Sequence, residues 1–207
     1  MTVALVDYGM GNRRSVEKAL EHVGATVART ADREEIARAD AIVVPGVGAF
    51  PEAMRRLRAL GLDTLIRERA GAGVPVLGIC LGMQLLFESS TEHEGAEGLG
   101  LLRGDVTRLE APGLKIPHIG WNTVTFERPA ALTAGLGDAA AFYHVHSFAC
   151  RPSDEADAVG RAEYGERFVS IVERGALFGT QFHPEKSSVD GLALLRNFAG
   201  VCARVAA

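Results

Sequence analysis

Short apolar runs rich in Val and Ile recur at residues 2–7, 25–29, 41–44 and 74–79. Stretches with apolar positions at helical spacing follow them, as in Val16-Glu17-Lys18-Ala19-Leu20 and across 53–60. Nearly continuous apolar strands alternating with helices predict a parallel sheet covered on both faces. In such sheets ligands gather at the carboxyl ends of the strands. From 101 to 182 the pattern changes to strand-like runs at 121–126, 142–148, 168–173 and 177–182 with turn signals between them, which predicts added antiparallel strands. A last helix is predicted over about 189–205, with Ser187-Ser188 as N-cap and Leu192, Leu195 and Phe198 on one face. The expected fold is α/β, a mostly parallel central sheet flanked by helices with antiparallel strands in the second half, forming one domain over 1–207.

Composition narrows the function classes. With 47% apolar and 23% charged residues the chain has the makings of a packed core. Its net charge of −4 comes without a Lys/Arg tract, so neither nucleic acid nor a membrane surface is an expected partner. Cys80, Cys150 and Cys202 are odd in number and widely spaced, which fits a reducing compartment better than a disulfide framework. Met1 runs into Thr2-Val3-Ala4-Leu5 with no basic segment and no long apolar stretch, so the expected location is cytoplasmic.

The sharpest chemical signal is Gly78-Ile79-Cys80-Leu81-Gly82, standing between the strand at 74–79 and a helix predicted over 81–88. It has the form of a nucleophile elbow with Cys in the Ser position. A tight strand-to-helix turn needs small flanking residues, which Gly78 and Gly82 supply. At a helix N-terminus the dipole favours the thiolate, the reactive form. Cys150 and Cys202 lack such a context and read as core thiols.

A nucleophile needs a base and the base an orienter. In Gln181-Phe182-His183-Pro184-Glu185, a strand continuing extended from 177–182 would put His183 and Glu185 on one face, and Pro184 favours extended geometry at His183. The chain order Cys, His, Glu differs from the Ser, Asp, His order of ordinary α/β hydrolases. An oxyanion hole is expected from the Leu81 N–H and from Val47 and Gly48 in Pro45-Gly46-Val47-Gly48-Ala49-Phe50, although that segment also reads as an ordinary glycine turn. Gln84 lies one turn beyond Cys80, in reach of a bound substrate, and Glu92 is placed to pair with a substrate ammonium.

Two other constellations carry less. Gly9-Met10-Gly11-Asn12 lacks the third glycine of a dinucleotide fingerprint, since that position is Arg14. His144-Val145-His146 puts two imidazoles on one strand face, but no further ligands stand at zinc-site spacing, so no metal is called for.

Together, Gly78–Gly82, Pro45–Phe50 and His183-Pro184-Glu185 resemble the class I (triad) glutamine amidotransferases, α/β proteins that use glutamine as an ammonia source. Within that family Asp7-Tyr8-Gly9-Met10-Gly11-Asn12, Pro117-His118-Ile119-Gly120-Trp121-Asn122 and Gly179-Thr180-Gln181-Phe182-His183-Pro184-Glu185-Lys186-Ser187 resemble the glutaminase subunits of imidazole glycerol phosphate synthases. The resemblance implies Cys80 as nucleophile, His183 as base and acid, and Glu185 as orienter. It further implies Gln84, Glu92 and the backbone around Ser147 and Phe148 as holders of the glutamine α-amino and α-carboxylate end. Asn12, Trp121 and Lys186 would face a (βα)₈-barrel synthase partner; no cofactor is implied. The chain departs from the family at Arg13, where an apolar residue is expected, at His144, where an aromatic is usual, and at Phe148, where Tyr is usual. A glutaminase of another amidotransferase, a non-catalytic interaction subunit and a stand-alone γ-glutamyl hydrolase are the alternative readings.

Overall fold

The computed structural model describes residues 1–205. In chain order the elements are β1 (Thr2–Val6), α1 (Arg13–His22), β2 (Thr26–Thr30), α2 (Arg33–Arg38), β3 (Ala41–Gly46), α3 (Phe50–Ala59), α4 (Leu62–Gly71), β4 (Val76–Cys80) and α5 (Leu81–Leu85). The second half adds β5 (Ser89–Ser90), β6 (Ala96–Glu97), β7 (Gly104–Arg108), β8 (His118–Phe126), β9 (Ala139–His146), β10 (Phe148–Pro152), β11 (Ala158–Tyr164), β12 (Glu166–Arg174), β13 (Leu177–Thr180) and α6 (Ser188–Val205). The main path of the sheet runs β2-β1-β3-β4-β13-β12-β10-β7-β5-β6, while β11 joins β12 to β8, and β8 pairs with β9. From β2 to β13 all neighbours are parallel. Beyond β13 the β12, β10 and β7 pairings are antiparallel.

The apolar runs are continuous because each strand face meets its own helical layer. On one face Val3, Leu5, Val43, Leu77 and Ile79 pack with Val16 and Leu20 of α1 and with Leu194, Leu195 and Phe198 of α6. Ala4, Val6, Ile42, Val44 and Val76, pointing the other way, pack with Phe50, Met54 and Leu57 of α3, Leu62 and Ile66 of α4, and Met83 of α5. This period-two split of one strand between two cores is what an inner parallel strand demands. No helix among the described residues is long and apolar enough to cross a membrane.

Several boundaries differ from the sequence expectation. The helix predicted over 81–88 stops at Leu85, because crossing chain takes its carbonyls: Leu99 N–H donates to Leu85 O at 2.8 Å and Leu102 N–H to Leu86 O at 2.9 Å. The run 142–148 is two strands, since β9 follows β8 while β10 leaves to pair with β7, and the chain bends at Ser147 between them. The run 177–182 leaves the sheet after Thr180. Ser187 does not cap α6 through its side chain; its hydroxyl donates to His183 O at 2.7 Å and accepts from Tyr143 N–H at 3.0 Å.

The strand-to-helix junction after β4 depends on two glycines. A Cβ on Gly82 would lie 1.8 Å from Val44 O, and one on Gly78 would lie 2.4 Å from Gly82 O. Both obstacles are backbone atoms that cannot swing aside. Gly82→Ala is therefore expected to cost roughly 3 kcal/mol or more, a fall of about 6–12 °C in Tm or failure to fold. Gly71→Ala, at the end of α4 where a Cβ meets nothing within 4 Å, should stay within about 1 kcal/mol of the parent. Thermal melts of the two variants make the comparison.

Candidate active site

Cys80 ends β4 and caps α5 with φ 54° and ψ −110°, a left-handed conformation that a side chain seldom adopts. Holding it costs about 1–3 kcal/mol, and such strain persists where surrounding packing over-determines it. Strand β4 lies between β3 and β13, with Gly46 paired to Cys80 and Thr180 to Ile79. The sulfur thus emerges where the chain leaving β3 and the chain leaving β13 converge. The first supplies Val47 and Gly48, the second His183.

A cleft of about 270 Å³ opens there, lined by Val47, Gly48, Cys80, Leu81, Gln84, Glu92, Ser147, Phe148, His183 and Lys186 among others. Cys80 is 6% exposed. Its Sγ lies 3.7 Å from Val145 O and 3.8 Å from Gln181 Nε2. The carbonyl suits a thiol, which donates, and the amide suits a thiolate, which accepts.

His183 Nδ1 lies 3.0 Å from Glu185 Oε1, and the Glu185 side chain is fully buried. A strand continuing through Glu185 would make this contact by alternation. Instead His183 is extended, at φ −99° and ψ 96°, and Glu185 sits in a 3₁₀ turn over Pro184–Lys186 that folds its carboxylate back onto the ring. Burial pushes the His183 pKa down, but hydrogen bonds to Cys80 and Glu185 and their negative charge outweigh it and raise it to about 10. The site therefore favours a protonated imidazole beside the sulfur, a proton donor placed where a cysteine nucleophile needs one.

Residues 4–201 match the family described as glutamine amidotransferase class-I. The imidazole glycerol phosphate synthase subunit HisH of Moorella thermoacetica is 52% identical over 196 residues, covering 95% of this chain and 93% of that protein. The same subunit of Aquifex aeolicus is 48% identical over 199 residues, 96% of each chain. The chain belongs to the class-I glutamine amidotransferase family. Among solved structures, a glutamine amidotransferase overlays with TM-score 0.77 at 22% identity, covering 97% of this chain and 98% of that one. PurLQS from Thermotoga maritima gives 0.75 at 21%, with the same coverage. At such identities the likeness speaks for the fold: this is the amidotransferase α/β sheet, parallel from β2 to β13 and mostly antiparallel beyond it.

The remaining candidates of this amidotransferase fall into three groups. Val47, Gly48 and Leu81 stand on the cleft beside Cys80. Gly48 has φ 105°, and Leu81 is the first residue of α5. Gln84 and Glu92 also line the cleft, yet both hold the protein together. Gln84 Nε2 donates to Phe148 O at 3.2 Å and to Gln181 Oε1 at 3.1 Å, while Glu92 Oε2 accepts the Phe50 N–H at 2.7 Å. Lys186 reaches the cleft, but Trp121 does not; it stands 55% exposed on β8 beside Ile119. Asn12 precedes α1 without capping it, next to Gly11, whose Cβ position lies 3.4 Å from Gly46 N.

Arg13, a departure from the family pattern, pairs with Asp7. His144 is wholly buried, with Nδ1 3.1 Å from Phe142 O and Nε2 2.8 Å from Ser170 Oγ. Burial, with His146 and His118 nearby, holds its pKa well below the usual imidazole range. Both nitrogens of His144 are thus engaged within the protein. Two supporting residues received no role from the sequence. Gln181 bridges Cys80 and Gln84, and Tyr8 Oη donates to Pro45 O at 2.6 Å, bracing the loop that carries Val47 and Gly48. Both lie in the quoted family blocks, which was the available signal.

Because the folded His183 value lies above the roughly 6.5 of an exposed imidazole, its pairing contributes stability in full below about pH 6.5. That contribution is lost as pH rises toward 10. Histidine NMR titration is expected to show His183 titrating far above an ordinary imidazole, and to show its pKa falling in both Cys80→Ala and Glu185→Gln. An unshifted His183 in either variant contradicts the coupling described.

Proposed function

We propose that this chain is a single-domain glutaminase subunit of imidazole glycerol phosphate synthase. It would hydrolyse glutamine to glutamate and ammonia and pass the ammonia to a (βα)₈-barrel synthase subunit in histidine biosynthesis. The observation that carries this reading is nearly full-length similarity at about half identity to synthase subunits, joined to a sulfur and an imidazole on one cleft, with a buried carboxylate behind the imidazole. Cytoplasmic residence fits a reduced cysteine nucleophile.

In this reading Cys80 Sγ attacks the side-chain amide carbon of glutamine. The resulting oxyanion is held by N–H groups of Leu81 and of the Val47–Gly48 segment. As the C–N bond breaks, His183 gives its proton to the departing nitrogen, releasing ammonia and leaving a γ-glutamyl thioester. Neutral His183 then takes a proton from water, whose oxygen displaces the sulfur to give glutamate. Glu185 keeps the His183 ring oriented and stabilises its charge. Gln84, Glu92, Ser147 and Phe148 hold the amino-acid end, with the two side chains acting partly through the loops they fasten. Asn12, Trp121 and Lys186 face the barrel subunit.

Ammonia in neutral water is mostly protonated and so non-nucleophilic, which favours a dry transfer path into a second site. The partner supplies that site. Hydrolysis uncoupled from an acceptor wastes glutamine, so the isolated chain should be nearly idle, and a peptide flip in Gly46-Val47-Gly48 is the proposed switch. Glutamate release assayed with the chain alone, with the barrel subunit, and with the barrel plus its phosphoribosyl ribotide should rise on the order of 10- to 100-fold across the series. Cys80→Ala should remove at least about a thousandfold of the activity of the complex. Full turnover by the chain alone points instead to a stand-alone γ-glutamyl hydrolase; ammonia transfer surviving Cys80→Ala points to an interaction subunit.

A further inference from the structure

Two buried imidazoles, His118 and His146, have no step in the reaction above, yet a directed chain of hydrogen bonds runs through them to the cleft. They are cross-strand neighbours, His118 opening β8 and His146 closing β9. His146 Nδ1 lies 2.8 Å from Phe148 O, and His146 Nε2 lies 3.1 Å from His118 Nδ1. His118 Nε2 lies 3.4 Å from Asn122 Nδ2, and the same amide nitrogen donates to Glu163 O at 2.9 Å.

Proton bookkeeping settles every direction. A carbonyl oxygen only accepts, so His146 carries its proton on Nδ1. A neutral ring has one N–H, which makes Nε2 of His146 an acceptor and Nδ1 of His118 its donor. His118 Nε2 is then left to accept from Asn122. Neutrality is enforced by the surroundings: burial holds the His146 pKa down to about 4 against the pull of the Phe148 carbonyl, and burial lowers His118 as well. The Tyr164 ring stacks on His118 at 4.1 Å, and Phe168 lies 4.8 Å from the His146 ring. Protonating His146 would point two N–H groups at each other across the 3.1 Å contact.

At the end of this chain is the Phe148 carbonyl, which accepts from His146 on one side and from Gln84 Nε2 on the other. Phe148 follows the bend at Ser147, and both residues form a wall of the cleft.

We propose that His118, which does not line the cleft, is a positioning residue for glutamine: through His146 it fixes the Phe148 carbonyl and so the Ser147–Phe148 wall against which the amino-acid end of the substrate rests. This rests on the glutaminase reading. Cys80, His183 and Glu185 do not depend on the chain, so its loss should weaken substrate binding more than chemistry.

The test compares His118→Phe, His118→Asn and the parent, each complexed with the barrel subunit. Phenylalanine fills the space but neither donates nor accepts. Asparagine places an amide N–H close to where imidazole Nδ1 sits and so keeps the bond to His146. The expected KM for glutamine rises roughly 5- to 50-fold in His118→Phe with kcat within about threefold, and His118→Asn recovers most of the loss. Nitrogen-detected NMR of the parent should find both His118 and His146 as Nδ1–H tautomers, a readout that holds even if the Phe variant fails to fold. Parent-like KM in His118→Phe, or an Nε2–H tautomer at His146, overturns the proposal. A parent complex that releases no glutamate would instead refute the glutaminase reading, and the tautomers would still decide the chain's direction.

Discussion

The backbone turn at Cys80 is the constraint on which the rest of the site depends. A β-strand must become a helix within one residue, at a φ that costs about 1–3 kcal/mol, with a neighbouring backbone so close that a methyl group on Gly82 would lie 1.8 Å from a carbonyl oxygen. That cost is sustained because β4 is an inner strand of the parallel sheet, held between β3 and β13. Leu77 and Ile79 are locked into one core and Val76 into the other, so neither strand nor helix can relax without unpacking a layer. The reward is positional. A sulfur at the carboxyl end of a central strand is reached from both sides by chain leaving the adjacent strands.

Each of those neighbouring segments is pinned in turn by a distant one. Tyr8 holds Pro45, Glu92 holds the Phe50 N–H, and Ser187 ties His183 O to Tyr143 N–H. Gln84, Gln181 and Phe148 form a knot behind the sulfur. The antiparallel half of the chain is therefore part of the site, since it carries Val145, Ser147 and Phe148 to the cleft wall. Charge follows the same logic: in a buried setting an imidazole ordinarily loses its proton, and only a carboxylate and a sulfur in contact reverse that for His183. His144 and His146, equally buried but facing carbonyls, a hydroxyl and other imidazoles, stay neutral.

What could be read from the sequence was what is local or periodic. Strands buried on both faces announce themselves as unbroken apolar runs, and Gly78 and Gly82 mark the turn because no other residue fits there. The proximity of His183 and Glu185 was legible, but its geometry was not: Pro184 kept His183 extended while a 3₁₀ turn, not a strand, returned the carboxylate. The early end of α5 and the bend at Ser147 were hidden because they depend on which distant segments claim the backbone groups, Leu99 and Leu102 in one case and β7 in the other. Likewise, nothing in the spacing of Gln84 and Glu92 reveals that their polar atoms are engaged with Phe148, Gln181 and Phe50.

The central claim is that Cys80, alone among three cysteines, is made nucleophilic by its place at the end of β4. The complex of this chain with its barrel partner, treated with the glutamine-analogue electrophile diazo-oxo-norleucine and mapped by peptide mass spectrometry, tests it most directly. One adduct per chain on the peptide bearing Cys80, blocked by glutamine, is the predicted result; an unmodified Cys80, or labelling spread equally over Cys150 and Cys202, would contradict it.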